Sequence, residues 1–325
     1  MEFPVRRSPF LAILTAAALV VTTACGSDDS DKPAASSGPD KVTTGVIAIV
    51  DVAPIYLGKE KGFFSKRDID LTLTPAQGGA AIVPAVLSGE YQFGFSNSIS
   101  LLLAKQKNVP LKVVANGNNS TGQDGNDFAG LFVKADSPIK SPKDLAGKTV
   151  AANTLNNIVD TSVRASIKKD GGDASKVKFA ELAFPDQVPA LQGGRVDAIF
   201  VVEPFQQAAV AAGFRKIASS YVDVAPDLTV AMYFTSQKLL ADDPDLVNRF
   251  TEAMKESLTY ADAHPDEVRT ILGSYTKIAP DVREKLVLPK FPADINRQSI
   301  DTLADLAVAD GLLPAKPDIS SLLPS

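Results

Sequence analysis

The chain has 325 residues and a formal net charge of −5, with 33 basic and 38 acidic side chains, one cysteine and one histidine. An acidic balance with no basic run interleaved with aromatics excludes a nucleic-acid partner, and a single cysteine excludes an internal disulfide, so stability has to come from packed cores. At 45% apolar residues there is enough material for such cores.

Arg6 and Arg7 precede an apolar stretch from Phe10 to Val21 and then small residues, the layout of a secretory signal. The stretch falls short of the ~20 apolar residues that a membrane span needs. Cys25, directly after Val21-Thr22-Thr23-Ala24, resembles the cysteine of a bacterial lipobox, with Thr22 where Leu or Val is usual. That resemblance implies cleavage before Cys25 and a diacylglycerol on its sulfur. Residues 1–24 are therefore expected to be a signal peptide and 25–41 a lipidated flexible linker. The segment GSDDSDKPAASSGPD cannot bury enough surface to fold, and its reach is ~20 Å. The remaining chain, about 300 residues, exceeds what one core usually serves, so two lobes are expected.

From Val42 onward strand-like and helix-like segments alternate, the pattern of parallel α/β layers. Strands are predicted at residues 45–50, 69–74, 93–97, 111–116 and 129–134, with helices at 54–62, 80–88 and 98–107 and a Gly/Asn-rich loop at 117–126. A second set follows. Ser141-Pro142-Lys143-Asp144 has the form of a helix start; strands are predicted at 148–153, 177–184 and 196–202, and helices at 157–169 and 187–192. One more strand, TVAMYFT at 229–235, precedes a helical region in which Leu246, Phe250, Ala253, Met254 and Ala261 form an apolar stripe.

Four segments in this order, PIYLGKEKGFFSKRDIDLTL (54–73), GGAAIVPAVLSGEYQFGFSNS (78–98), SPKDLAGKTVAANTLNN (141–157) and VPALQGGRVDAIFVVEPF (188–205), resemble the substrate-binding proteins of ABC importers that serve nitrate, sulfonates, taurine and thiamine-pyrimidine precursors. The resemblance implies a type II periplasmic-binding-protein fold: two α/β lobes joined by two crossover strands, AGLFVK and TVAMYFT, with a ligand cleft between them. Lobe I would comprise 42–129 and 232–325, and lobe II 130–231. It further implies a small-molecule ligand, ABC permease and ATPase partners, and a monomer anchored through lipid to the outer face of the cytoplasmic membrane. The solute class stays open between a sulfonate-, taurine- or nitrate-like anion and an aromatic or heterocyclic solute such as a thiamine-pyrimidine precursor. A membrane sensor is the alternative partner.

Open α/β sheets bind ligands where strands end and helices begin. In lobe I that directs attention to Asp51 and Ile55, Gly78 and Gly79, and Ser96, Asn97 and Ser98. In lobe II it selects Asn153, Thr154, Asn156, Asn157 and Glu203, although Glu203 is equally suited to binding a hinge or cap amide. Asn116, Asn118 and Asn119, and the rings of Tyr56, Phe205 and Tyr233, are weaker candidates. None of these junctions carries Lys or Arg. His264 lies at a helix end away from all of them, which leaves no Ser-His-Asp triad, Cys-His pair or His/Cys metal cluster at the cleft. Neither GxxxxGK nor GxGxxG occurs. Fungal thiamine-pyrimidine synthases of this fold family use histidine and cysteines absent here, so the sequence favours a binding protein without metal, cofactor or turnover.

Overall fold

The computed structural model describes residues 38–324; the leader, Cys25 and most of the 25–41 linker lie outside the described residues. β-Branched Val42, Thr43 and Thr44 carry the first strand, β1 (Asp40–Val46). There follow α1 (Ala53–Glu60), β2 (Ile69–Pro75), α2 (Gly79–Ser88), β3 (Phe93–Asn97), α3 (Ser98–Gln106), β4 (Leu111–Asn119) and β5 (Ala129–Val133). The chain continues through β6 (Thr149–Ala152), α4 (Ile158–Lys169), β7 (Lys178–Glu181), α5 (Phe184–Gln192), β8 (Ala198–Val202), α6 (Phe205–Ala211), β9 (Arg215–Ala218) and α7 (Ser220–Val224). It ends with β10 (Thr229–Ser236), α8 (Gln237–Asp242), α9 (Pro244–Ala263), α10 (Pro265–Tyr275), α11 (Pro280–Arg283) and α12 (Arg297–Ala309).

The strands form two five-stranded sheets of matching design, β2-β1-β3-β10-β4 and β7-β6-β8-β5-β9. In each, two βαβ units make parallel pairs, and the fourth strand runs antiparallel to its neighbours. That antiparallel strand is always the one the chain enters on arriving from the other sheet. AGLFV and TVAMYFT thus each lie within the sheet they enter, with Lys134 just past β5, and the crossings themselves are residues 120–128 and 219–228. The two crossings touch, since Ser120 N donates to Leu228 O at 2.8 Å.

Three expectations change. The first strand starts at Asp40, ahead of residues 45–50, because 47–49 leave the sheet to enter a short 3-10 turn, Val50–Val52. The Asn-rich stretch assigned to a loop continues β4 as far as Asn119, held against β10 through register shifts. Residues 205–224, assigned no regular structure, contain α6, β9 and α7.

The apolar stripe of α9 packs beneath the first sheet. Phe250 stacks on Phe93 with ring centroids 3.6 Å apart and planes 3° from parallel, and it also meets Phe64 and Tyr233. All four rings are fully buried. Phe250→Ala would leave a cavity among rings that cannot close over it, so urea unfolding should show a loss of about 3–5 kcal/mol; a loss below about 1 kcal/mol would mean that this core repacks freely.

Candidate functional site

The carboxyl ends of β1 and β2 face those of β7 and β8, as open α/β sheets place their ligand crevices. A cavity of about 390 Å³ lies between them. One wall is Ile47, Ala48 and Ile49 after β1 with Pro75, Ala76 and Gln77 after β2; the other is Ala183, Phe184, Pro185 and Phe205. Phe184 and Phe205 lie nearly parallel, 16° apart with centroids at 5.7 Å. Gln77 is the one side chain with a hydrogen-bonding group among these residues, and none is charged.

Beside the cavity the two walls touch. A Cβ on Gly78 would sit 2.7 Å from Thr154 Cγ2 and 3.7 Å from Asn153 Nδ2, so glycine is what allows this approach. Asn157 organises the opposing surface. It caps α4 by accepting from Val159 N at 2.9 Å, and its amide donates to Thr154 Oγ1 at 2.6 Å and to Asn153 Oδ1 at 3.2 Å. Gly78, Asn153, Thr154 and Asn157 are therefore brought together, whereas Asn156 is exposed with φ +53° and points to a different cavity.

The remaining lobe I candidates are largely committed within the protein. Gly79 packs on Ser96, whose Cα lies 2.7 Å from where a Gly79 Cβ would be, and the buried Ser96 hydroxyl has no partner. Asn97 caps α3 through Ser100 N at 2.9 Å. Ser98 donates to Thr229 O and Val230 O, which fastens α3 to the start of β10. Ile55 is buried in α1. Of the weaker candidates, Asn116 donates to Pro292 O and Asn119 Oδ1, and Tyr56 stacks on Tyr275 with centroids 3.9 Å apart.

Glu203, which the sequence left even between a ligand and a hinge or cap amide, is fully buried with its carboxylate engaged within the protein. Its carboxylate accepts from Gln207 N at the start of α6, from Val287 N, and from the side chains of Gln206 and Gln207. Deeper at the head of α1, the second carboxylate oxygen of Asp51, both ends of the Asn118 amide and the Tyr233 hydroxyl are buried without a protein partner. Buried polar groups with unused capacity are exceptional and mark places where a solute or water can be bound.

Gln77 belongs to the strand-to-helix junction that the sequence placed at the cleft, whereas Ile47, Ile49, Phe184 and Pro185 are among the lining residues it did not single out. Phe184 had been assigned to the end of a strand at 177–184, but β7 stops at Glu181 and Phe184-Pro185 opens α5. Pro185 was the available signal, since proline favours the first helical turn.

A family model described as NMT1/THI5 like matches residues 49–268. The chain is 28% identical over 188 residues to the taurine-binding periplasmic protein of Escherichia coli (strain K12), a match covering 58% of this chain and 56% of that protein. It is 24% identical over 280 residues to the riboflavin-binding protein RibY of Chloroflexus aurantiacus, covering 79% of this chain and 76% of the other. Among solved structures, the alkanesulfonate-binding protein SsuA from Xanthomonas axonopodis pv. citri bound to MOPS superposes with a TM-score of 0.74 at 18% identity, over 89% of this chain and 99% of that one. The fold is thus the two-lobed one of periplasmic binding proteins.

Burial pushes Asp51 from the ordinary 3.8 up to about 7; its own backbone amide opposes the shift, and Asp127 adds to it. The folded state consequently holds a proton that the unfolded chain has released, so this group makes stability fall as pH rises through the window from the ordinary carboxylate range to about 7. Asp51→Asn should remove up to roughly 4 kcal/mol of that fall, the variant gaining on the wild type toward neutral pH in urea titrations. Parallel pH profiles for the two proteins would show that Asp51 is ionised in the native state.

Proposed function

Because the chain belongs to the NMT1/THI5-like family, we propose that it is an exported solute-binding lipoprotein that captures a small organic molecule between its lobes and delivers it to an ABC importer. The observation that carries this is the cavity at the carboxyl ends of both sheets, walled by Phe184 and Phe205 on one side and Ile47 and Ile49 on the other. Polar groups frame it at Gln77, at the α2 N-terminus beside Gly78, and at the Asn153–Thr154–Asn157 surface.

Those walls favour a flat, uncharged ring. Two near-parallel phenyl rings and aliphatic side chains gain from burying an apolar face, and an anion would meet no lysine or arginine among the lining residues. A sulfonate or taurine-like solute is the second reading, supported by the relative named for taurine. On that reading the amides at the head of α2 and the Thr154 hydroxyl take the sulfonate oxygens. No chemistry is assigned to the solute: His264 stacks on Tyr260 at the α9–α10 junction, outside the cavity lining.

A thermal-shift series with riboflavin, an aminopyrimidine and taurine tests the solute class, since a ligand at about a hundred times its dissociation constant stabilises by ~2.7 kcal/mol. A ring compound should raise the transition temperature, and Phe184→Ala should weaken its binding roughly fivefold or more. Stabilisation by taurine alone would replace the first solute class with the second.

Closure is tested by a pair of variants. Gly78→Ala places a methyl against Thr154 Cγ2 and should weaken solute binding, while Thr154→Ser removes that methyl and keeps the oxygen that Asn157 donates to, so the double variant should recover. Gly78→Ala binding like wild type would show that these walls do not meet around the solute.

For the anchor, Cys25→Ser should move the exported protein from the membrane to the soluble fraction, because stable attachment needs more than one acyl chain and the diacylglycerol supplies two. Retention of that variant on the membrane would remove lipidation from the proposal.

A further inference from the structure

A second cavity, of about 530 Å³, lies between α3, α4 and the turn after α12, and it shares no lining residue with the cleft. Its lining carries charges of both signs, Lys107 and Arg164 with Asp160 and Asp310. Asp160 is 7% exposed; one carboxylate oxygen takes the Asn157 amide at 3.3 Å and the other has no partner. Asp310 pairs through one oxygen with Lys168 at 2.5 Å and leaves its other oxygen buried and unpartnered. Arg164 donates to Ala174 O and lies over the Phe179 ring at 5.2 Å. Among the described residues no ion pair joins Arg164 or Lys107 to a carboxylate.

A simple anion in this cavity would satisfy Lys107 and Arg164 but face two carboxylates, and a simple cation would do the reverse. A metal ion finds too few ligands, since no group of three acidic, histidine or cysteine side chains occurs among the described residues. An occupant with one charge of each sign and an apolar body satisfies the whole lining.

We propose that this cavity is a second solute site, taking an α-amino acid with an apolar side chain: its ammonium on Asp160 and Asp310, its carboxylate on Lys107 and Arg164, its side chain against Phe179 and Leu312. The walls come from both lobes, α3 and the turn after α12 on one side and α4 on the other. An amino acid bound there therefore supports the arrangement in which the lobes meet. Burial pushes Asp160 up to about 6, and an ammonium beside it would hold it ionised.

Isothermal titration of the full chain with L-leucine, L-phenylalanine and L-methionine tests this, with isoamylamine and 4-methylpentanoate as analogues that each lack one charge. At least one amino acid should bind saturably and each analogue at least about tenfold more weakly. Lys107→Gln and Asp160→Asn should each weaken the amino acid about five- to tenfold, while Phe184→Ala in the cleft leaves it unchanged. The Asn side chain can still accept the cap amide of α4; should Asp160→Asn lose its circular-dichroism signature, Lys107→Gln, at the exposed end of α3, decides. Absence of saturable binding, analogues that bind as well as the amino acid, or loss in Phe184→Ala with none in Lys107→Gln would each overturn the second site.

Discussion

Glu203 ties the carboxyl end of β8 in the second sheet to the head of α1 and to the segment beyond α11. Its backbone N–H donates to Phe128 O at the end of the first crossing, its carbonyl accepts from Val50 N at the entry to α1, and its carboxylate takes Val287 N from the segment beyond α11. A buried carboxylate costs several kcal/mol unless hydrogen bonds replace its water. Here four donors do so, two of them glutamine amides from α6. The burial still raises its proton affinity, and removing a donor would leave the charge uncompensated. The residue that follows β8 thereby fixes where the second sheet stands relative to the head of α1, and hence how far Phe205, two residues on, projects toward Ile47 and Ile49.

The cleft is dry where it is widest and polar where it closes. Phe184, Phe205 and the aliphatic residues after β1 surround the open volume, whereas the Gly78 contact with Thr154 lies beside an amide–hydroxyl chain through Asn157 and Asn153. Such a division gives affinity through apolar area and orientation through a few fixed groups. It also distributes two tasks over one cap residue: Asn157 ends the exposed amides of α4 and at the same time sets the rotamer of the side chain that meets the other lobe.

Legibility in the sequence followed how local each cause was. FGFSN is a strand over the same residues, the helix predicted over 157–169 runs from Ile158 to Lys169, and the α9 stripe is buried as its spacing required, because each depends on neighbours within one or two turns. The apolar run at 45–50 misled, since only Gly45 and Val46 belong to β1 and the burial beyond them comes from residues that leave the sheet for a turn. Phe184 escaped notice because VKFAELAF alternates well enough to pass for one strand through its last residue. Ser98 and Glu203 show the other limit: serine and glutamate at a strand-to-helix junction suit ligand and backbone equally, and only the position of residues more than 80 further along the chain, at Thr229 and Val287, decided for the backbone.

The matching design of the sheets has a mechanical consequence. Each lobe receives the chain from the other on an interior antiparallel strand, so the covalent links arrive as two tethers anchored in the most rigid part of each body, and the tethers are themselves hydrogen-bonded through Ser120 and Leu228. Two bodies pinned along one line can turn about that line once the contacts that Glu203 makes to Val50 and Val287 are released. Sliding Gly78 past Thr154, or twisting one sheet against the other, would have to stretch β4–β5 or β9–β10 out of their ladders. On the proposed function, solute exchange would be motion along one angular coordinate, and the walls that separate on release would be the same ones, in the same register, that meet again on capture.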